Sequence, residues 1–398
     1  MDLPIYMDGH ATTRVDPRVI EAMVPYFAEH YGNAASRHHR FGWVARDAVM
    51  DARAAVASLI GANTSELIFT SGATESNNLA LKGVADASRA RGNHIITVQT
   101  EHRAILDPCA SLERQGMRVS YLPVREDGIL TPAALGVAIE PDTVLITVMM
   151  ANNEIGVLHP IRELAALARA RDVLFHTDAA QAVGWVPIDV ETGDIDLLSL
   201  TAHKCHGPKG VGALFVRHGV ALSPLVEGGG HESGLRSGTL NLPAIVGFGR
   251  AASICLDEMA GEAERVSGLR DRLSDRLQSS LTGVTVNGSM SSRLPHNLNV
   301  SVDGVNGEQL LMGLSDVAVS SGAACSSNSR EPSYVLRALG LDDNRARASI
   351  RFGLGRFNSE AEIDHVVEIF QSLVKRLRAP APVFDLEHDD SDLPPEWQ

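Results

Sequence analysis

The sequence predicts an α/β fold built on a mostly parallel sheet, followed by a smaller α+β domain. Short apolar runs alternate with helical patterns from residue 60 to 220, as in proteins whose parallel strands are joined by helices. The run from Val144 to Met150 has neither a charge nor a polar–apolar alternation, which is typical of a strand buried on both faces. After about residue 240, a long helical pattern and shorter strands replace this alternation.

The elements of the first half can be placed from caps and apolar runs. The first helix is predicted to begin at Asp16-Pro17, because Asp caps a helix and Pro suits its first turn. A second helix is predicted from Trp43 to Ile60, ending at Gly61. The predicted strands of the sheet are Glu66–Thr70, His94–Val98, Val119–Val124, Val144–Met150, Val173–His176, Leu197–Leu200 and Val211–Val216.

The second half is predicted to begin with a helical pattern from Ala244 to Leu281, which its glycines are expected to bend or break. Later strands are predicted at Val284–Val286, Leu298–Val302 and Ser349–Phe352, and later helices at Glu308–Leu314, Tyr334–Leu339 and Glu360–Arg376. We therefore expect an N-terminal segment (1–14) that packs with the small domain, a large domain (15–255), a small domain (256–378) and an acidic, proline-rich tail (379–398).

Composition narrows the function classes. The chain has 398 residues, of which 44% are hydrophobic, and this is enough for a sizeable core. Its net charge of −14 argues against direct binding of nucleic acid, which needs clustered cations.

None of the four cysteines forms a Cys-x-x-Cys pair, so no metal site or disulfide framework is predicted. With neither a signal peptide nor a membrane-spanning run in the sequence, we expect a cytoplasmic protein with no membrane partner.

The segment from Thr70 to Asn77 (TSGATESN) follows a strand and opens a helix. Small residues let the backbone approach a ligand closely, and the unpaired N–H groups of a helix N-terminus favour a phosphate. An ordinary capped turn is the alternative interpretation.

Polar residues also follow other strands. They are Thr100-Glu101-His102, Asn152-Asn153-Glu154 and Asp178-Ala179-Ala180-Gln181. Ligands of open α/β sheets bind beyond the carboxyl ends of the strands. Lys204 follows a further strand, where desolvation would leave its amine uncharged and nucleophilic. A lysine, an acid such as Asp178 for a ring nitrogen, and a phosphate cradle are the parts that a pyridoxal phosphate site needs. The alternatives are satisfied core groups and a solvated lysine.

Cys325 lies in a segment of small polar residues, 319–329, which predicts an exposed, mobile loop. Most free cysteines are buried and inert, but one on such a loop is a candidate nucleophile. Cys109 and Cys255 lie in helical patterns, which favours a structural role for both.

Taken together, these motifs resemble the cysteine desulfurases, in particular the IscS/NifS-like group of the class-V (fold-type-I) pyridoxal phosphate-dependent aminotransferase family. The resemblance covers residues 5 to 378, and it is specific through the order and spacing of its motifs. They are 70–77 (TSGATESN), 100–102 (TEH), 152–156 (NNEIG), 203–204 (HK), 228–232 (GGGHE), 236–239 (RSGT) and 321–325 (SGAAC).

The resemblance implies a fold-type-I enzyme that works as a homodimer with pyridoxal 5′-phosphate. Lys204 would form the Schiff base with the cofactor, and Asp178 would pair with the pyridine nitrogen. His102 would stack on the ring and move protons. Gln181 and Asn153 would contact the phenolic oxygen of the cofactor.

The implied reaction converts L-cysteine to L-alanine and leaves the sulfur on Cys325 as a persulfide. The residues implied in phosphate binding are Ala73, Thr74, Thr201 and His203, with Thr239 supplied by the partner subunit. Arg351 would hold the substrate carboxylate, and Asn33 and Ser36 would line the substrate pocket.

The sequence departs from the family pattern at Gly9-His10, where an aromatic residue or Ala with a small residue is commoner. It also departs at 32–36, which reads GNAAS in place of GNPSS. A selenocysteine lyase, or an aminotransferase with the same cofactor, remains an alternative, and a non-catalytic assembly subunit is a third. The sulfur acceptor is left open among an iron–sulfur scaffold protein, tRNA thiolation and DNA sulfur modification.

Overall fold

A computed structural model describes residues 3–321 and 331–379. Its strands are β1 (Ile5–Tyr6), β2 (Leu67–Thr70), β3 (His94–Val98), β4 (Arg118–Leu122), β5 (Thr143–Thr147), β6 (Leu174–Asp178), β7 (Leu197–Thr201), β8 (Gly212–Val216), β9 (Val284–Val286), β10 (Asn297–Val302), β11 (Val317–Ala318), β12 (Ser320–Ser321) and β13 (Ser349–Gly353). Its α-helices are α1 (Pro17–Met23), α2 (Pro25–Ala28), α3 (Arg40–Leu59), α4 (Ala73–Ala87), α5 (Arg103–Glu113), α6 (Pro132–Ala138), α7 (Ile161–Ala170), α8 (Leu242–Ser280), α9 (Gly307–Met312), α10 (Tyr334–Ala338), α11 (Asp343–Arg347) and α12 (Glu360–Arg378).

A seven-stranded sheet forms the centre of the molecule, in the order β2-β8-β7-β6-β5-β3-β4. Strands β3 to β7 pair in parallel, and β8 runs antiparallel to both of its neighbours. The predicted α/β fold with a mostly parallel sheet is therefore confirmed. Because β2 to β7 all point the same way, their carboxyl ends lie at one edge, and this edge positions the site.

Strand β5 is buried, which agrees with the absence of charged residues in its sequence. All five of its residues are buried, as the absence of charge predicts. The strand is shorter than predicted and ends at Thr147, not at Met150. The hydrogen bonding continues nonetheless, since the N–H groups of Val148 and Met150 donate to the carbonyls of His176 and Asp178. The chain thus leaves regular strand geometry just where it enters the site.

Helix α8 runs unbroken for 39 residues, so the prediction that its glycines would break it is wrong. A Cβ at Gly249 would lie 2.5 Å from the Cα of Ala52 in α3. A Cβ at Gly247 would lie 2.6 Å from the sulfur of Met23 in α1. Gly247 and Gly249 therefore allow close helix packing, and at these two positions tertiary contact outweighs the low helix propensity of glycine.

A second sheet of four strands, in the order β12-β13-β10-β9, follows helix α8. All its recorded pairings are antiparallel. The N-terminal strand β1 pairs in parallel with β11, and Asp8 forms a bridge with Gly353 at the end of β13. The N-terminal segment is thereby fastened beside β13, whose central residue is Arg351.

None of the helices within the described ranges has the length and apolar character needed to cross a bilayer. Two features of the sequence lie outside the described residues. They are Cys325 with its predicted loop, and the predicted tail from residue 380 onward.

Candidate active site

A cavity of about 680 Å³ lies at the carboxyl edge of the seven-stranded sheet. Ten of the predicted site residues line it, namely Ala73, Thr74, His102, Asn153, Asp178, Gln181, Thr201, His203, Lys204 and Arg351. They come from the ends of β2, β3, β5, β6 and β7 and from β13, so the fold collects residues that are up to 278 positions apart. The structure thus brings these strand ends together at one cavity.

The N-terminus of α4 forms one end of the cavity. Gly72 precedes the helix with φ at +155°, and no side chain caps the first turn. A Cβ at Gly212 would lie 2.7 Å from the Cα of Gly72, so β8 packs directly against this turn. Glu75 accepts a hydrogen bond from the Ser71 N–H (2.8 Å) and pairs with Arg236 (2.8 Å). The first helical N–H groups at Ala73 and Thr74 therefore border the cavity without a competing side-chain cap.

Asp178, the last residue of β6, is held at two oxygens. Its Oδ2 accepts from the Asn77 amide at 2.7 Å, and its Oδ1 accepts from the Ala180 N–H at 2.9 Å. Glu101 is fully buried nearby, and burial, followed by the negative charge of Asp178, raises its pKa well above the ordinary value. The burial of Glu101 therefore disfavours the charged form of its carboxyl.

Three histidines of the described residues line the cavity, namely His10, His102 and His203. His102 caps α5, where its Nδ1 accepts from the Ala104 N–H at 3.1 Å, and burial lowers its pKa. A neutral His102 thus carries its proton on Nε2. Burial, followed by the charges of Lys204 and Lys209, lowers the pKa of His203 to about 4. His203 Nδ1 lies 3.1 Å from the hydroxyl oxygen of Thr12.

Lys204 ends a short 3₁₀ turn that follows β7. Its Nζ donates to the main-chain carbonyls of His10 and, at 2.8 Å, of Ala11. Lys209 also lines the cavity. The N-terminal segment therefore holds the amine of Lys204 at the wall of the cavity.

Arg351, the central residue of β13, is buried and lines the cavity. Its Nη1 donates to the carbonyl of Asn153 at 3.0 Å, and its Nη2 pairs with Asp8 at 2.8 Å. Its Nε is buried and has no hydrogen-bond partner within the described ranges. A buried guanidinium with an unused donor suits a planar anion such as a carboxylate.

Three predicted residues do not line this cavity. Thr239 lines a smaller one of about 240 Å³, together with Ser71 and Gly210. Asn33 is exposed, and its side-chain oxygen accepts from the Ala35 N–H at 2.9 Å. The Ser36 carbonyl packs against Gly42, where an added Cβ would lie 2.0 Å from it. The predicted roles of these three residues remain predictions.

The motif at 228–232 serves as an anchor in the structure. Glu232 pairs with Arg53 at 2.6 Å and accepts from the Phe69 N–H at 2.7 Å. These bonds fasten the segment before Thr239 to the start of the sheet.

The structure also adds residues that motif reasoning did not assign. They are Asp8, His10, Asn77 and Lys209. Asn77 closes the predicted motif 70–77 but was given no role of its own. Asp8, His10 and Asn77 act through contacts with Arg351, Gln181 and Asp178, which are distant in sequence.

The three cysteines of the described ranges, Cys109, Cys205 and Cys255, are free and buried. Burial raises the pKa of Cys109 to about 12, so its thiol stays protonated and inert. Cys325 is the predicted nucleophile, and each of the three cysteines in the described ranges is buried.

Comparison with known proteins places these features in context. The family model of class-V aminotransferases matches residues 5–366. A cysteine desulfurase IscS from Anaeromyxobacter sp. (strain Fw109-5) is 55% identical over 400 residues, covering 100% of this chain and 99% of that protein. A solved NifS-like protein superposes with a TM-score of 0.88 at 36% identity, covering 94% of this chain and 100% of that one. A solved SspA in complex with cysteine has a TM-score of 0.80 at 36% identity, covering 89% and 100%.

Proposed function

The chain belongs to the class-V aminotransferases, and from this premise we propose that it is a pyridoxal phosphate-dependent cysteine desulfurase acting in the 680 Å³ cavity. It converts L-cysteine to L-alanine and transfers the sulfur to Cys325. The single observation that carries the proposal is the convergence of Lys204, Asp178 and His102 on that cavity. The curated relative at 55% identity is named a cysteine desulfurase, which supports this activity over a selenocysteine lyase or an aminotransferase.

The residues present fit the cofactor. The uncapped first turn of α4, with Thr201 and His203 beside it, suits the phosphate. The carboxylate of Asp178, fixed by Asn77, suits a protonated ring nitrogen. Pyridoxal phosphate, when bound, supplies an aldehyde that captures amines and a ring that accepts electron density from the carbon beside the captured nitrogen.

The side chains divide the remaining work. The Arg351 guanidinium binds the substrate carboxylate, for which its unused Nε is available, and this orients the cysteine Cα–H bond toward Lys204. The Lys204 amine takes the Cα proton and holds it for return to the product. His102, whose Nδ1 accepts from the Ala104 N–H and so leaves Nε2 to carry a proton, would cover the ring face and would donate or accept the proton of the substrate amine.

Sulfur transfer is assigned to Cys325, which lies outside the described residues. Its thiolate attacks the substrate sulfur, so that an S–S bond forms as the substrate Cβ–S bond breaks. The electron pair of the broken bond stays with the substrate carbon, which then takes a proton and leaves as L-alanine. Cys325 is left as a persulfide for an acceptor protein such as an iron–sulfur scaffold.

We also propose a homodimer in a cytoplasmic setting. Helices α1 to α3 and their connections expose a group of large apolar side chains, namely Val24, Phe27, Tyr31, Phe41, Trp43 and Met50. The rings of Tyr31 and Phe41 lie 5.3 Å apart, so part of this surface is continuous. In such a dimer, Thr239 of each subunit would reach the phosphate end of the other subunit's 680 Å³ cavity. Free buried thiols suit a reducing compartment.

We also propose that the chain divides into an N-terminal segment (1–14), a large domain (15–255), a small domain (256–378) and a tail (379–398). The pairing of β1 with β11 supports an N-terminal segment that packs with the small domain. The boundary at 255 falls inside the continuous helix α8, which would then belong to both domains.

The test is a comparison of Cys325→Ser with Cys109→Ser as its matched control. We expect Cys325→Ser to keep the visible absorption of the bound cofactor and to lose persulfide and sulfide formation from L-cysteine. Cys109→Ser should retain both, because this buried thiol does not ionise. Undiminished persulfide in Cys325→Ser, or a colourless wild-type protein, would refute the proposed function.

A further inference from the structure

His10 lies between β1 and α1, at the point where the sequence departs from the family pattern. Its ring is buried (1% exposed) in the wall of the cavity and stacks on His296 with 4.4 Å between the ring centroids. Its main-chain carbonyl accepts from the Lys204 amine and, at 3.1 Å, from the Gln181 side-chain nitrogen. His10 thus contacts two predicted cofactor residues through one peptide group.

The ring of His10 ends a chain of hydrogen bonds with a defined direction. The chain begins at Arg293, whose Nη1 lies 3.0 Å from Asn297 Oδ1. A guanidinium only donates, so the oxygen of the Asn297 amide must face Arg293. The Asn297 nitrogen then faces the other way, 3.2 Å from the carbonyl of Glu154 and 3.0 Å from Nε2 of His10.

This arrangement determines the tautomer of His10. Because the Asn297 amide nitrogen donates to it, Nε2 must be an acceptor, and the single proton of a neutral ring is on Nδ1. Burial, with the charges of Arg351 and Lys204, lowers the pKa of His10 to about 3, so the ring is neutral at physiological pH. Nδ1 lies 2.8 Å from Oε1 of Gln181 and therefore donates to it.

The orientation of the Gln181 amide follows. Its oxygen is held by His10 Nδ1–H, and its nitrogen donates one proton to the His10 carbonyl. The second proton of that nitrogen is left to point elsewhere, and Gln181 lines the cavity. If the Gln181 amide were turned the other way, its oxygen would face the His10 carbonyl and its nitrogen would face His10 Nδ1–H, so neither hydrogen bond could form.

We propose that His10 is a positioning residue, which holds the Gln181 amide so that its N–H, and not its oxygen, is presented to the phenolic oxygen of the cofactor. The inference rests on the proposed function for the cofactor, but the tautomer that it requires is a property of the protein alone. An N–H donor stabilises negative charge on the phenolic oxygen and so lowers the pH at which the nitrogen joined to Lys204 loses its proton.

The test compares His10→Leu with His10→Asn, because the Leu and Asn side chains are similar in size and both branch at Cγ. The Asn side-chain nitrogen lies two bonds beyond Cβ, as Nδ1 does, so His10→Asn retains a donor to Gln181 and His10→Leu does not. His296→Phe is the control, because it keeps a ring stacked between His10 and Trp185. All three variants keep the main-chain carbonyl of residue 10.

Two measurements on the holoenzyme and one on the cofactor-free protein decide the matter. In His10→Leu the pH midpoint of the visible cofactor absorption should rise by about one unit, because a hydrogen bond to a charged oxygen has an effect of that order. The kcat for alanine release should fall about tenfold. His10→Asn should recover most of both effects, and His296→Phe should match the wild type. Histidine-selective ¹⁵N NMR of the cofactor-free protein should show a neutral His10 with its proton on Nδ1, assigned by its loss in His10→Asn.

An unchanged midpoint in His10→Leu, a failure of His10→Asn to recover it, or a His10 protonated on Nε2 would each overturn the inference. Failure of the proposed function would look different. In that case the wild type would be colourless, while the NMR signal would still report the Nδ1 tautomer.

Discussion

Glu154 provides a quantitative prediction on stability. Its carboxyl is almost wholly buried behind Asn153, and burial raises its pKa to about 7 from an ordinary 4.5. The hydroxyl of Ser333, which donates to Oε2, and the charge of Arg351 act in the opposite direction without cancelling the effect of burial. The folded protein therefore prefers the protonated carboxyl.

The sign and size of the effect follow from linkage. A folded-state pKa above the unfolded value contributes stability that is complete below pH 4.5 and is lost as the pH rises through 7. A pKa difference of about 2.5 units lowers the free energy of unfolding by about 3 kcal/mol between low and high pH. About 1 kcal/mol of that decrease falls between pH 6 and 8.5. Glu154→Gln, which stays uncharged, should therefore become more stable than the wild type, with an advantage that grows with pH.

The assay is urea unfolding of both proteins at equal protein concentration across pH 6 to 8.5. Glu126→Gln, which removes an exposed carboxyl, is the control and should show a pH-independent difference from the wild type. The reasoning is refuted if Glu154→Gln is less stable than the wild type at pH 8.5, or if its advantage does not change with pH.

Three further predictions concern the site and its supports. Asp178→Asn should lower kcat about 100-fold or more, because it removes the carboxylate that Asn77 orients, and steady-state alanine release measures it; retention of full activity would contradict the assignment. Arg351→Lys should raise KM for L-cysteine about 10- to 100-fold with the cofactor absorption unchanged, since lysine lacks the planar fork; an unaltered KM would show that the carboxylate binds elsewhere. Glu232→Gln should destabilise the fold by about 2 to 3 kcal/mol in urea unfolding, because the pair with Arg53 is largely buried but Arg53 remains partly exposed; a loss below 0.5 kcal/mol would contradict its role as an anchor.

Local patterns in the sequence predict most of the secondary structure. The Asp16 cap of α1 is present as predicted, with its side chain accepting from the Arg18 N–H. The strand predicted at His94–Val98 has those bounds. Both features depend on residues that are close in sequence, and this is why they can be predicted from the sequence. The continuity of α8 cannot be predicted in this way, because it depends on the packing of Gly249 against Ala52, which is nearly 200 residues away.

The same limit applies to the site. The strand-end motifs predict which residues gather, because the carboxyl ends of parallel strands must share an edge. They do not predict that Asp8 pairs with Arg351, or that His10 orients Gln181. Those contacts join segments 343 and 171 residues apart, and they depend on the placement of the N-terminal segment beside β13.

The central claim is that the cofactor is joined to Lys204, and the cavity offers a direct competitor in Lys209. The measurement is reduction of the purified protein with borohydride, which fixes the cofactor to its amine, followed by peptide mass spectrometry. We predict that the added mass of the reduced cofactor lies on Lys204 alone. The same mass on Lys209, or on neither lysine, would contradict the account.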